Sequence, residues 1–315
     1  MIEDELVQAF GRLDLQVMAY VDPRPASDHE RLMREGELTI LHMPAIFTSV
    51  NEARLYWELV QRRSSHFIAT TAAQSLRTGK DVPTVSIDLG AGEPAVLFHA
   101  ESDIYKSLPI IGDERMPPEY RKYSGEIAQW FSAFTSFYEG IEKDTDERSW
   151  TAALLLQIHA KTSEIMLLSS LFGDESSLDR FMPEYREVVA SARAISGSQY
   201  FQMQKFKFDL GIVNPLRLVA KWCREGGTRR EAIGLLRESR VREGLYDGLI
   251  MAGVQEWIME LEEEGLVDGI IKEEMRWRYT SIRLDCLRRR ADVEAERLGR
   301  NGDGTRDVRG TVITW

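Results

Sequence analysis

Between Phe206 and Leu249 the chain reads FKFDLGIVNPLRLVAKWCREGGTRREAIGLLRESRVREGLYDGL. Punctuation this dense permits short helices joined by tight turns and little else. Asn214 is an N-cap candidate, and Pro215 then takes the first helical position, where a missing N–H costs nothing. Leu216, Val219, Ala220 and Cys223 share one face at helical spacing. Gly226 and Gly227 end that helix. Thr228, with Glu231 three residues on, forms a capping box for a second helix that turns Ala232, Leu235 and Leu236 inward. A third helix is expected over 245–264, stopped by Gly265, and a last one over 273–298.

The same grammar extends upstream. Leu6, Phe10, Leu13 and Val17 give an amphipathic segment over 3–20, and VDPRPASD breaks it. Ser49 with Glu52 reads as a capping box before a long helix to about Ala72. Residues 79–94, rich in Gly, Pro and Asp, read as a long exposed loop with a short hairpin near 82–98. Pro117 and Pro118 open a helix carrying Tyr120, Tyr123, Ile127, Phe131, Phe134 and Ile141. Ser149 is an N-cap candidate for an apolar helix ending near Leu171 and stopped by Gly173. A further helix is expected over 177–195. Together these predict an all-α chain, an irregular array or bundle of antiparallel helices, with the glycine-containing tail 299–315 loose. No fixed period supports a repeat solenoid.

Composition narrows the function classes. The chain has 315 residues, 43% hydrophobic and 29% charged, as ordinary globular proteins do. Its acidic opening, MIEDELVQAF, lacks the basic and apolar regions of a secretory signal. A formal net charge of −11 argues against a self-sufficient nucleic-acid binder, which must neutralise phosphates. Two cysteines, Cys223 and Cys286, make neither a disulfide framework nor a four-ligand zinc site, and they fit a reducing compartment.

Candidate chemistry is sparse. VSIDLGAG (85–92) has the look of a methyltransferase cofactor loop, since glycines let backbone N–H groups approach a ligand. However, Pro94 follows at once and the next segment reads as extended, which favours a surface loop or hairpin. The five histidines, His29, His42, His66, His99 and His159, include no His-x3-His pair, and His159 reads as a core or interface residue. Cys223 beside Arg224 could be an activated thiol, but a cysteine on an inner helix face is more often a small buried hydrophobe. Arg229, Arg230, Arg237, Arg240 and Arg242 could contact a partner or phosphate, or pair locally with Glu225, Glu231, Glu238 and Glu243. The acidic run at Glu260 and Glu262–Glu264 sits where the helix dipole disfavours negative charge, and it reads as a solvated face or one compensated by arginines. The aromatic stripe Trp130, Phe131, Phe134, Phe137 and Tyr138 reads as core. No catalytic, cofactor-binding or metal-ligating residue is assigned.

FDLGIVNPLRLVAKWCRE (208–225), TRREAIGLLRES (228–239), REGLYDGLI (242–250) and VQEWIMELEEEGL (254–266) resemble the C-terminal half of fungal-specific transcription factor domains. FGRLDLQVMAY (10–20) is similar to an earlier segment of that family, and LQIHAKTSEIMLLSSLFGDESSLD (156–179) to its middle helix. The resemblance spans about 10–285 and is most specific over 206–266. It implies an all-helical regulatory domain over 1–298, acting by oligomerisation, effector sensing or contact with transcription machinery. Asp209, Gly211, Pro215, Cys223, Arg224, Arg229, Arg230, Arg242, Glu243 and Gly244 match the signature, with structural roles expected. The six-cysteine zinc cluster through which such regulators read DNA is absent from these residues. The chain is then either a natural protein without that cluster or a truncated one.

The expectation is a transcription-regulator-like protein, not an enzyme, with no cofactor. It would work through protein partners, as a homo- or hetero-dimer or on the transcription machinery, with a small-molecule effector as an option. Its place would be the nucleus, or alternatively the cytoplasm, and its context a metabolic or secondary-metabolite gene cluster. It would bind neither nucleic acid directly nor membrane. Two competing classes are a methyl-donor enzyme using 85–92 and a helical scaffold or small-molecule binder outside transcription.

Overall fold

A computed structural model describes residues 36–77, 84–88, 95–98, 116–141, 146–169, 171–172, 175–202, 206–207, 211–243, 246–266, 271–285 and 287–315. The expected helix over 3–20, Gly173, Asp209, Gly244 and Cys286 lie outside these residues.

Among the described residues three long helices come first, α1 (Val50–Arg77), α2 (Pro118–Tyr138) and α3 (Glu147–Ser169), and residues 36–41 before them are helical. The Ser49–Glu52 box forms as expected on one side, where the Glu52 N–H donates to Ser49 Oγ at 3.2 Å. On the other side the Glu52 carboxylate reaches one residue further back and accepts from the Thr48 N–H at 2.7 Å. Pro118 opens α2 as expected. α3 starts two residues before Ser149, because Asp146 caps it by accepting from the Ser149 N–H at 3.0 Å.

The aromatic stripe on α2 is core. Trp130 is fully buried, donates its indole N–H to the Ala53 carbonyl at 2.9 Å and stacks on Phe134 with ring centroids 4.5 Å apart. His159 is buried on α3, also as expected. The single helix expected over 177–195 is divided into a 3-10 segment, Glu175–Phe181, and α4, Met182–Ser196, with Pro183 in the first turn of α4. One turn, α5 (Gln199–Gln202), follows.

The signature segment folds as α6 (Val213–Trp222), α7 (Gly226–Ser239) and α8 (Gly248–Glu263). Three two-residue strands tie its joints together. They are β3 (Phe206–Lys207), parallel to β4 (Arg242–Glu243), and β5 (Tyr246–Asp247), antiparallel to β4; β1 and β2 belong to the larger sheet described next.

The chain is mostly helical but not all-α. Residues expected as a final helix and a loose tail form β6 (Trp277–Asp285), β7 (Arg290–Arg300) and β8 (Arg306–Thr314), an antiparallel meander. The short hairpin expected near 82–98 is present as β1 (Thr84–Asp88) and β2 (Ala95–Phe98), and β1 pairs parallel to β6. The sheet order is therefore β2-β1-β6-β7-β8. β1 pairs directly and antiparallel with β2, whereas the strand of a nucleotide loop has parallel neighbours; the glycines of 85–92 lie outside the described residues.

α8 joins the two layers. Its Ala252 and Met259 belong to the main helical core. Ile250 and Val254 pack on Tyr279, Ile282, Leu284, Ala291 and Val293 of the sheet, and Ile258 and Leu261 pack on Trp277 and Ala295. Ile250, Val254, Ile258 and Leu261 are each worth about 1.5–3 kcal/mol of burial. The C-terminal sheet is thus held to the helices by a core of its own. At Gly253 the helix presents no side chain, and the Ile313 methyl lies 2.8 Å from where a Cβ would sit, bringing β8 onto α8.

Candidate functional site

The described signature residues lie along α6, α7 and β4 and the turns that join them, and Gly211, Cys223, Arg224, Arg229 and Glu243 are spent on internal contacts. The first joint is the start of α6. Its N-cap is Ile212, which has no side-chain acceptor. Glu243, thirty residues on in β4 and buried, supplies one instead: its Oε2 accepts from the Val213 N–H at 3.1 Å. The other carboxylate oxygen occupies the space a Cβ on residue 211 would need, which is why glycine stands there. Asn214 is therefore not the cap. It sits at the second helical position, and its Oδ1 accepts from Arg217 Nη2 at 2.9 Å. Pro215 moves to the third position, still within the first turn where no N–H is required.

The second joint links α6 to α7. α6 ends at Cys223, whose backbone turns extended (φ −68°, ψ 122°), and not at the glycines. Gly226 and Gly227 instead begin α7, and Glu225 caps it by accepting from the Thr228 N–H at 3.0 Å and from the Thr228 hydroxyl. Thr228 is thus a donor, and Glu231 leaves the expected box to pair with Arg193 at 2.8 Å. Thr228 holds the Glu225 carboxyl below the usual range, as expected for a working cap.

Cys223 is buried, with its Sγ 3.6 Å from both Met182 Sδ and the Glu225 carbonyl. Burial pushes its thiol up to about 11, the opposite of activation. In a Cys286→Ser background, Cys223 is expected to stay unmodified by a thiol reagent at pH 8 in the native protein. Full reaction should appear only in denaturant, and stoichiometric reaction of the native protein would contradict this packing. The neighbouring Arg224 turns away from the thiol. It clamps Asp179 through Nε at 2.8 Å and donates Nη1 to the Ile271 carbonyl at 3.1 Å.

The arginines do not form one patch. Arg229 is completely buried and pairs with Glu262, also completely buried. Glu262 further accepts from Arg276 Nη1 at 2.8 Å and from the Trp277 N–H at 2.9 Å. Arg276 in turn reaches Glu175 through Nε at 2.7 Å and the Lys221 carbonyl. Glu273 closes the far side, accepting from the N–H groups of Glu175 at 2.9 Å and Ser176 at 3.0 Å. This knot joins the 3-10 segment, α6, α7, α8 and β6. Burial opposes the charge on Arg276, but Glu175, Glu262 and Glu273 outweigh it and hold its pKa above the ordinary value. Arg229 is the strained member. Burial pulls its pKa down, Glu262 offsets part of that, and the like charge of Arg276 adds to it.

Arg230 and Arg237 pair on the surface with Glu263 and Glu256 of α8, not with the neighbouring glutamates of α7. Arg240 takes the left-handed conformation that ends α7 (φ 47°), and Arg242 lies in β4 opposite Asp247. The acidic end of α8 is therefore divided: Glu262 is the centre of a buried knot, while Glu263 is a surface partner.

Lys221 was not among the residues the sequence singled out. Its Nζ lies 5.3 Å from the Trp222 ring centroid and 5.7 Å from that of Tyr279. Burial, then Arg276 and Arg278, lower it to about 7. No local signal marks it, because Arg276, Arg278 and Tyr279 come from a different element.

Among the described residues no group of three or more His, Cys, Asp and Glu is placed to hold a metal ion, and no helix is long and apolar enough to cross a membrane. No protein-family model, curated protein or solved structure matches the chain.

Proposed function

We propose that this chain is a transcription-regulator-like domain that works through protein partners, with a small-molecule effector as a second input and without a DNA-reading module of its own. The nucleus is its proposed place of action, in control of a metabolic gene set. The reading rests on the resemblance of 206–266 to fungal regulatory domains. One observation supports it: the signature residues Gly211, Glu243, Arg224 and Arg229 all serve to lock α6, α7 and α8 onto their neighbours. A pattern spent on internal caps and buried ion pairs is what a rigid regulatory scaffold requires, whereas an enzyme would aim some of it at a cleft. The high pKa of Cys223 and the antiparallel β1–β2 hairpin both weaken the enzymatic alternatives.

Fusing the full chain to a foreign DNA-binding module is expected to change reporter expression at least several-fold in a fungal host, and the fluorescently tagged chain is expected in the nucleus. A cytosolic protein with no reporter effect would defeat the proposal and favour the scaffold reading. Heat on titration with S-adenosylmethionine, abolished by Gly90→Val, would defeat it in favour of an enzyme.

A further inference from the structure

The last strand, β8, ends the sheet, and among the described residues nothing pairs with its outer edge. Nine residues, RDVRGTVIT, run along it without a proline. Natural edge strands are usually kept short, broken by proline or bulges, or guarded by charged side chains; β8 carries charge at Arg306, Asp307 and Arg309, and Gly310–Thr314 has none. Here the one register irregularity with β7 lies at the start, and from Val308 to Thr314 the ladder is regular. Val308 and Val312 stand on the open face of this edge, 59% and 49% exposed. The opposite face carries Ile313 against α8, so β8 is fixed in place from behind while its edge stays unpaired among the described residues.

We infer that β8 is a dimerisation edge, and that its occupant is β8 of a second copy of this chain. The argument is one of self-complementarity. An antiparallel pair of identical strands about a two-fold axis must place that axis on a residue, because only alternate residues direct their N–H and C=O groups outward. With the axis on Gly310 all nine residues overlap. Val308 then lies opposite Val312 of the second copy, twice, and the two glycines face one another at the axis. The remaining pairs are Arg306 with Thr314, Asp307 with Ile313 and Arg309 with Thr311, so no like charges are directly opposed. An axis on Arg309 would set that arginine against itself. An axis on Val308 would run into the turn after Arg300 and keep about half the overlap. An axis on Thr311 keeps seven of the nine residues but sets Val308 against Thr314 and Val312 against Gly310, so the Gly310 register, with full overlap and valine against valine, is the favoured one. It joins two five-stranded sheets into one continuous sheet with four valines grouped on its open face. The dimer does not depend on what the helical array regulates.

Sedimentation velocity of the full chain is expected to show a dimer of the 36.1 kDa protomer at micromolar concentration. Val308→Lys with Val312→Lys sets lysine opposite lysine across the axis. It should weaken association more than tenfold, and because both side chains face solvent in the protomer the thermal unfolding curve should match wild type once both are diluted to monomer, while at dimer-forming concentrations only the wild-type midpoint should rise with concentration. Register is read separately in a Cys286→Ser background. Mixed Val308→Cys and Val312→Cys proteins should form an intermolecular disulfide under mild oxidation far more readily than either variant alone. A wild-type chain that stays monomeric to 100 µM (on the order of a generous upper limit for specific self-association) overturns the proposal. So does a lysine variant that remains dimeric. If the lysine variant fails to fold, the cysteine mixture decides, and equal cross-linking in the mixture and the single variants counts against this register.

Discussion

Replacing Glu262 with alanine is expected to destabilise the protein by about 3–5 kcal/mol, the cost of stripping one partner from a buried ion pair. The size follows from what is left behind. Glu262 is wholly buried and is the shared acceptor for Arg229 and Arg276 and for the Trp277 N–H. Without it, Arg229 keeps its charge in the interior with no carboxylate, beside a second guanidinium that already repels it. Arg276 retains Glu175, so the loss falls mainly on the α7–α8 contact. Glu262→Gln preserves an acceptor for the Trp277 N–H but not the charge, and should recover only a minor part. The adjacent Glu263 is the control. Its pair with Arg230 is exposed, and Glu263→Ala should cost under about 1 kcal/mol. Urea unfolding with an unchanged m-value measures both. If Glu262→Ala and Glu263→Ala fall within about 1 kcal/mol of each other, the knot does not carry the weight assigned to it.

Adjacent glutamates with opposite fates show where sequence reading runs out. The helical spacing of α8 places Glu262 and Glu263 on different faces, but which face is covered depends on β6, and β6 was read as helix. The reason is local. The alternation Trp277, Tyr279 then Ile282, Leu284 changes parity at the register shift between Tyr279 and Ser281. One extra residue hides a period-2 pattern. In β7 the alternation Ala291, Val293, Ala295 is intact, but its intervening residues, Asp292, Glu294 and Glu296, and the arginines around them suit a helix as well as a strand. The glycines of the tail suggest a loose segment, but Val308, Thr311, Val312 and Ile313 favour the strand that forms.

What the sequence did carry were local signals: Pro118 opening α2, the Ser49 cap, the aromatic stripe and the buried Cys223. The errors at α6 and α7 both involve a glutamate in a cap role assigned to another residue. Asn214 and Thr228 are good caps by type, but in each case a glutamate took the role, Glu225 from three residues upstream and Glu243 from a different strand. Glu225 caps at ordinary local spacing and is hidden only because Thr228 is the better cap by type, whereas Glu243 caps from a distance and leaves no trace in local spacing. The arginines went astray in the same way, because their partners lie on α8 and not one turn along α7.

That distant cap yields the second large effect. Gly211→Ala is expected to destabilise by about 2–4 kcal/mol, combining overpacking with the loss of a buried hydrogen bond. The new methyl would overlap the Glu243 carboxylate, which is buried and cannot swing into water. Moving it breaks the bond to the Val213 N–H and uncaps α6, whose own N-cap residue, Ile212, offers nothing in return. Glu243→Ala alone removes the cap and should cost about 1–3 kcal/mol. The two changes should not add. Once Glu243 is alanine, the methyl at 211 has room, so the double variant should be scarcely less stable than Glu243→Ala. A double-mutant cycle by urea unfolding would return a coupling in the compensating direction close to the whole Gly211→Ala cost, about 2–4 kcal/mol. Additive losses would mean that Gly211 is required for its backbone and not for the space it yields to Glu243. The same cycle with Gly211→Ala and Glu263→Ala should show coupling near zero, since Glu263 pairs elsewhere, with Arg230.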